Sequence, residues 1–244
     1  MSYLYNTIIY RPLLNALVIL YNTIAFRDLG LSIIFLTIIV RLILYPVFHK
    51  SVRQQTIIQK IQPEIDRINK VHKDDKEKQV EATMALWKEH NINPLSGFLA
   101  IFIQLPILIA LYQIFWKSLS AETIAGLYPF VTLPGALNKT FFGLINLSSP
   151  NMIIVALAAA AQYVQGRAAL ALNPKKPHEM TSMERMSRSM MVFTPLLTFF
   201  IFLRMPSAVG LYWLVTSLFS VGQQIIINKQ LANGGLGTIH QKDN

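Results

Sequence analysis

There is no cysteine anywhere in the 244-residue chain. A disulfide framework, a thiolate metal site and a lipid-modified anchor cysteine are therefore excluded. Charge is scarce too: Asp, Glu, Lys and Arg make up 14% of the residues, against about 25% in a typical soluble domain. With 53% hydrophobic residues and a mean hydropathy of +0.42, the composition is that of a membrane protein. Acidic residues are missing from the interior of every long apolar run, so no carboxylate dyad can form there. His49, His72, His90, His178 and His240 show no ligand spacing. No glycine-rich phosphate loop and no set of nucleophile, base and orienter is visible. The chain is read as a non-enzyme, with neither cofactor nor metal. No cleavable leader is expected, because the first 27 residues lack a basic stretch followed by a clean apolar core and a small-residue cleavage site.

What is abundant is apolar sequence in long runs. Five stand out: Leu29–Phe48, Leu95–Trp116, Met152–Leu172, Met190–Leu203 and Ala208–Ile227. A spanning helix needs about 20 residues. The fourth run is short, although Met183–Arg204 extends it with polar ends. Pro106 and Pro195 fall inside the second and fourth runs and predict kinks. The expected fold is all-α, with five transmembrane helices. Before them, Ile9, Leu13, Leu17, Leu20 and Ile24 recur at helical spacing, with Arg11, Asn15 and Asn22 on another face. Residues 1–27 thus read as an amphipathic helix lying in the membrane interface; a sixth span is the alternative.

The positive charges give an orientation. Nine lysines and arginines lie between residues 49 and 92, five in the connection between the third and fourth runs, and two at the tail end. The opposite side receives only Arg11, Arg27, Lys117, Lys139 and Arg204. By the positive-inside rule the N-terminus lies outside, the tail of residues 230–244 lies in the cytoplasm, and residues 28–229 form the five-span core. The net charge of +10 is then mostly topological. No sequence-specific nucleic-acid contact is needed, though the basic loops can also meet ribosomal RNA or anionic lipid. Within residues 54–90, Ile57, Ile61, Ile65 and Ile68 follow helical spacing, as do Val80, Met84 and Trp87 beyond the turn-like KDDKEK. This predicts a cytoplasmic helical hairpin with facing apolar stripes, mobile relative to the core; a solvated charged spacer is the alternative.

Polar residues inside the runs are the candidate site. Arg41 interrupts the first, and an arginine at a bilayer centre costs roughly 3 kcal/mol on insertion scales. Thr37 lies one turn earlier on the same face. Gln104 precedes Pro106, Gln162 follows four alanines, and Trp213, Ser217, Ser220 and Gln224 form a stripe in the last run. Arg41 can snorkel to the cytoplasmic interface or meet polar partners inside the bundle. The glutamines can be interhelical hydrogen-bond glue or can line a site.

Four stretches, GLSIIFLTIIVRLILYP, QPEIDRINK, HNINPLSGFLAIFIQLPILIALY and GLYWLVTSLFSVGQQ, occur in this order. Together they resemble the YidC family of membrane protein insertases, which has relatives in mitochondria and chloroplasts. The resemblance implies a five-helix core around a hydrophilic groove open to cytoplasm and lipid. It places Arg41 at the groove's positive centre, with Thr37, Gln104, Gln162 and Trp213 on its lining. It implies pore-free insertion of nascent membrane proteins in a bacterial plasma membrane, with chaperone action, and a ribosome or a translocation channel as further partners. A small-anion channel or transporter selecting through Arg41 is the alternative function. Against it, the outer half of the first run, Leu29–Leu36, offers only Ser32.

Overall fold

A computed structural model of the chain describes residues 3–93, 95–117, 126–132, 138–170, 180 and 182–233. The tail from 234 and the connection 171–179, with Lys175 and Lys176, lie outside the described residues. The apolar runs fold as helices because a backbone in hydrocarbon must satisfy its own N–H and C=O groups. Helix α1 (Tyr3–Tyr5) passes through a π-helical turn at Asn6–Tyr10 into α2 (Arg11–Asn22). A tight turn follows, with Phe26 and Arg27 in the left-handed region at φ 52° and 59°. Asp28 then caps α3 (Leu29–Ile43), its side chain accepting from the Leu31 N–H at 2.8 Å.

The run Leu29–Phe48, expected to form a transmembrane helix, is not one continuous helix. The helix breaks at Leu44, and α4 (Tyr45–Lys60) leaves at 70° to α3. Pro46 is the physical reason: it has no N–H to give the Leu42 carbonyl four residues back, so it starts a helix instead of continuing one. Helices α5 (Gln62–Val71) and α6 (Lys76–Glu89) follow and touch each other. Then come α7 (Ser96–Lys117), a small antiparallel pair β1 (Thr140–Phe141) and β2 (Ile145–Asn146), α8 (Met152–Leu170), α9 (Ser182–Phe202) and α10 (Ser207–Asn233).

Among the described residues, α7, α8 and α10 are each long and apolar enough to cross a membrane, and the bent α3–α4 pair makes a fourth candidate. Helix α9 does not qualify, because its first half carries Glu184, Arg185 and Arg188. Its second half still presents Phe193, Leu196 and Phe200 to the surroundings, as α7 presents Phe102 and α8 Ile153. Apolar surface on this scale suits hydrocarbon, not water. The protein is an all-α membrane protein with α10 at its centre, packed on α8, α3, α4 and α7.

Two cores hold the bundle. The larger joins α2, α3, α7 and α10 through Leu14, Leu17, Val18, Ile33, Leu111 and Val209. Leu13, Leu17 and Leu20 therefore face protein, where lipid had been expected, and Ile24 is exposed. The polar face of α2 is used as well. Asn15 is buried, its Nδ2 donating to the carbonyls of Arg11 and Gly126 while its Oδ1 accepts from the Tyr128 N–H at 2.7 Å. Arg11 donates to the Gly126 carbonyl and stacks on the Tyr128 ring, and Asn22 donates to the Thr132 carbonyl. These residues fasten the segment after α7. The smaller core joins the end of α4 and the base of α5–α6 to the end of α10 through Ile57, Ile61, Ile65 and Leu86 with Ile227 and Leu231. Val80 and Met84 do not face the isoleucines: they are 54% and 59% exposed, and Leu86 takes the buried place on α6.

Candidate functional site around Arg41

Arg41 stands on the last turn of α3, just before the break at Leu44. The break carries Phe48 back over it, and the guanidinium lies 4.4 Å from the centroid of the Phe48 ring. Arg41 is only 7% exposed. It is also close enough to the Tyr212 hydroxyl of α10 to interact electrostatically. That hydroxyl accepts a hydrogen bond from Gln104 Nε2 on α7. Three helices thus converge, with Tyr212 as the hub between the charge and the amide. Among the described residues no carboxylate forms an ion pair with Arg41.

The other expected residues are arranged differently. Thr37 shares the buried face of α3, but its hydroxyl donates back to the Ile33 carbonyl at 2.6 Å. Gln162 Oε1 and Trp213 Nε1 are buried with no partner among the described residues. Trp213 meets Phe202 of α9 edge-on, with ring centroids 5.7 Å apart. No hydrogen bond or cation–π contact joins Arg41 to Gln162 or Trp213. Tyr212 links Arg41 to Gln104, and among the described residues no hydrogen bond joins either of them to Thr37, Gln162 or Trp213. Sequence reading missed Tyr212 by one position. The signal was there: Tyr212, Thr216, Ser220 and Gln223 form a buried stripe that Trp213 flanks.

The magnitudes show what such a charge can do. A desolvated cation–π contact is worth about 2 kcal/mol or more, the same order as the roughly 3 kcal/mol for placing an arginine at bilayer depth. Its planar guanidinium has five donors. Additional acceptors would lower the cost, and a carboxylate would lower it most.

Residues 19–234 match a family model described as the 60Kd inner membrane protein. The chain belongs to that family. Its relatives include proteins named membrane protein insertase YidC. The one from Clostridium tetani is 34% identical over 200 residues, which cover 82% of this chain and 81% of that protein. Those from Pelobacter propionicus and Magnetococcus marinus are each 31% identical, over 91% and 84% of this chain but only 39% and 33% of their own length. The chain therefore spans most of the first relative and between a third and two fifths of the other two. The family match contains Arg41, Gln104 and Tyr212, so the three-helix convergence lies inside the shared region. Family membership and the apolar helices make this a multi-pass membrane protein.

Proposed function

We propose that the chain is a membrane protein insertase, with chaperone action on the same clients, in a bacterial inner membrane. It moves the hydrophilic leading part of a nascent hydrophobic segment through a positively charged, pore-free groove. The single observation that carries the reading is Arg41, buried beside Phe48 and the Tyr212–Gln104 pair, where no carboxylate among the described residues neutralises it. An acidic residue of the client would supply the missing charge. In a partly dehydrated site this attraction exceeds its value in water. Transfer of the client's apolar face into lipid then supplies the drive, roughly 0.8 kcal/mol per buried CH₂. The exposed apolar surfaces of α8 and α9 offer that face a path. Thr37, Gln162 and Trp213 would line the groove further along, where the two unpartnered atoms favour a role with an incoming segment.

The reading includes five spans, α9 being the fifth, with the N-terminus outside and the tail inside. The distribution of lysines and arginines supports it. It includes α5–α6 as a cytoplasmic hairpin that meets anionic lipid, and a ribosome or a translocation channel as partners. Reconstitution in liposomes tests the core claim. Arg41→Ala should lower insertion of a client with an acidic leading region about tenfold, the factor that about 1.4 kcal/mol carries. Arg41→Lys should keep part of the activity, because the charge remains without the planar fork. Normal insertion by a folded Arg41→Ala protein, or anion flux without insertion, would overturn the reading. Orientation is tested by single cysteines in a chain that has none. Asn138→Cys should label from outside and Lys73→Cys should not.

A further inference from the structure

One buried group is not used by the reading above. Gln223 on α10 is 2% exposed, and neither its Oε1 nor its Nε2 has a partner among the described residues. Its neighbour Gln224 is the contrast: that amide donates to Thr56 Oγ1 at 3.0 Å and to Asn228 Oδ1 at 2.8 Å. At about 100° per residue, Gln223 returns to within about 20° of Tyr212 around the helix, about 16 Å further along its axis. It therefore continues the stripe that begins at the Arg41–Tyr212–Gln104 cluster. Helix α4 lies over that stripe. Its Tyr45 meets Phe219 edge-on with centroids 6.4 Å apart, and its Thr56 holds Gln224. Gln223 thus sits under α4, between two contacts of the helix that leaves α3 at the 70° break.

An amide buried with both ends unpaired is unfavourable, and replacing it by an apolar group of the same size is close to neutral. Its chemistry fits a peptide group, which also offers one donor and one acceptor. We propose that Gln223 is a client-contacting residue, uncovered when α4 swings away from α10 about Leu44. Its Nε2 then donates to a backbone carbonyl of the entering segment, and its Oε1 accepts a backbone N–H. An unfolded leading segment needs such partners as it leaves water. The amide reads backbone, not side-chain charge. Gln223 therefore serves acidic and neutral leading regions alike, whereas Arg41 favours acidic ones. This deepens the insertase reading and rests on it.

Membrane vesicles with a ribosome-stalled client carrying one cysteine in its leading region test the contact. Gln223→Cys and Arg41→Cys are each introduced into the cysteine-free chain, and both should form a disulfide with the client. A disulfide at position 41 but not 223 overturns the Gln223 contact and leaves the insertase reading standing. Disulfides at neither position overturn both. The functional arm is Gln223→Leu, which keeps the volume and removes the amide. Insertion should slow roughly fivefold, the factor one net hydrogen bond carries, for acidic and neutral clients equally, with the melting temperature unchanged or raised. Unchanged insertion, or a loss confined to acidic clients, would overturn the proposal. Should the leucine variant fail to fold, the disulfide result decides alone.

Discussion

The two ends of this bundle treat buried polar groups in opposite ways. At the end that holds α2 and the β1–β2 pair, the buried polar side chains of Asn15, Tyr21 and Asp28 all have partners. Asn15 makes three bonds, the Tyr21 hydroxyl accepts from the Asn138 N–H at 2.7 Å, and both carboxylate oxygens of Asp28 are taken. The β2 strand and the turn after it satisfy the start of α10: the N–H groups of Ser207 and Ala208 donate to the carbonyls of Ser149 and Leu147. At the Arg41 end, Gln162, Trp213 and Gln223 leave buried atoms unpaired among the described residues, and a guanidinium stands there without a carboxylate among them. A closed end has its acceptors and donors built in. The open end keeps its own for something that arrives. That is the division of labour a one-sided groove requires, and substitutions at the two ends should separate stability from insertion.

The largest effect on stability is expected at the closed end. A Cβ on Gly30 would fall 2.1 Å from Phe141 Cδ2, so Gly30→Ala forces α3 and β1 apart. Overpacking of this kind costs about 1–3 kcal/mol, and the melting temperature in detergent should drop clearly. Asn15→Leu should do the same by about 2 kcal/mol, since it strands the Tyr128 N–H, while the Gly126 carbonyl keeps Arg11 as a donor. Retention of wild-type melting by either variant would show that this end is not the rigid one.

Asp28→Ala comes next. One oxygen caps α3 through Leu31, and the other accepts from the Phe142 N–H at 2.6 Å, which ties the cap to the strand pair. Loss of an N-cap costs about 1 kcal/mol, and the second bond raises the expected total to about 2 kcal/mol. Arg41→Met at the other end should reverse the pattern. Melting should shift by less than about 1 kcal/mol in either direction, because a costly desolvated charge is exchanged for an apolar chain of similar length. Insertion of an acidic client should fall. A large stability loss at Arg41, with insertion per folded molecule intact, would erase the contrast between the ends.

Much of the bundle was legible in the sequence because apolar runs and a lone arginine at membrane depth have few structural solutions. The break at Leu44 was written in Pro46 but hidden by the run's hydrophobicity, which continues unbroken to Phe48. Asn15 looked like a polar face awaiting headgroups; its partner is a segment more than a hundred residues away, which periodicity cannot show. Tyr212 and Trp213 are neighbours in an apolar helix, and only the approach of α3 and α7 decides which one faces Arg41. On α6 the spacing of Val80 and Met84 was helical, yet the buried face runs through Leu86. A helix with two half-apolar faces does not say which one the rest of the protein will cover.

The smallest effect comes from a second aspartate cap and sharpens the comparison. Asp75 caps α6 as Asp28 caps α3, its Oδ1 accepting from the N–H three residues on, here that of Lys78 at 3.0 Å. Its other oxygen reaches only the exposed Lys78 ammonium, at 3.2 Å. The Lys78 backbone N–H, helped by that ammonium, holds the carboxyl below its ordinary value of 3.8. A lowered carboxylate pKa contributes stability above the ordinary value and loses it as pH falls through the lowered one. Hydrogen exchange of residues 76–79 should therefore accelerate only in acid below about pH 4, once exchange chemistry is corrected for. The spans should be unaffected. Asp75→Asn keeps a capping oxygen and should flatten the pH dependence with little change near neutrality. The same exchange profile in wild type and Asp75→Asn would mean that the cap does not control this turn. A pH response that spread into α3 would mean that the hairpin and the core unfold as one unit.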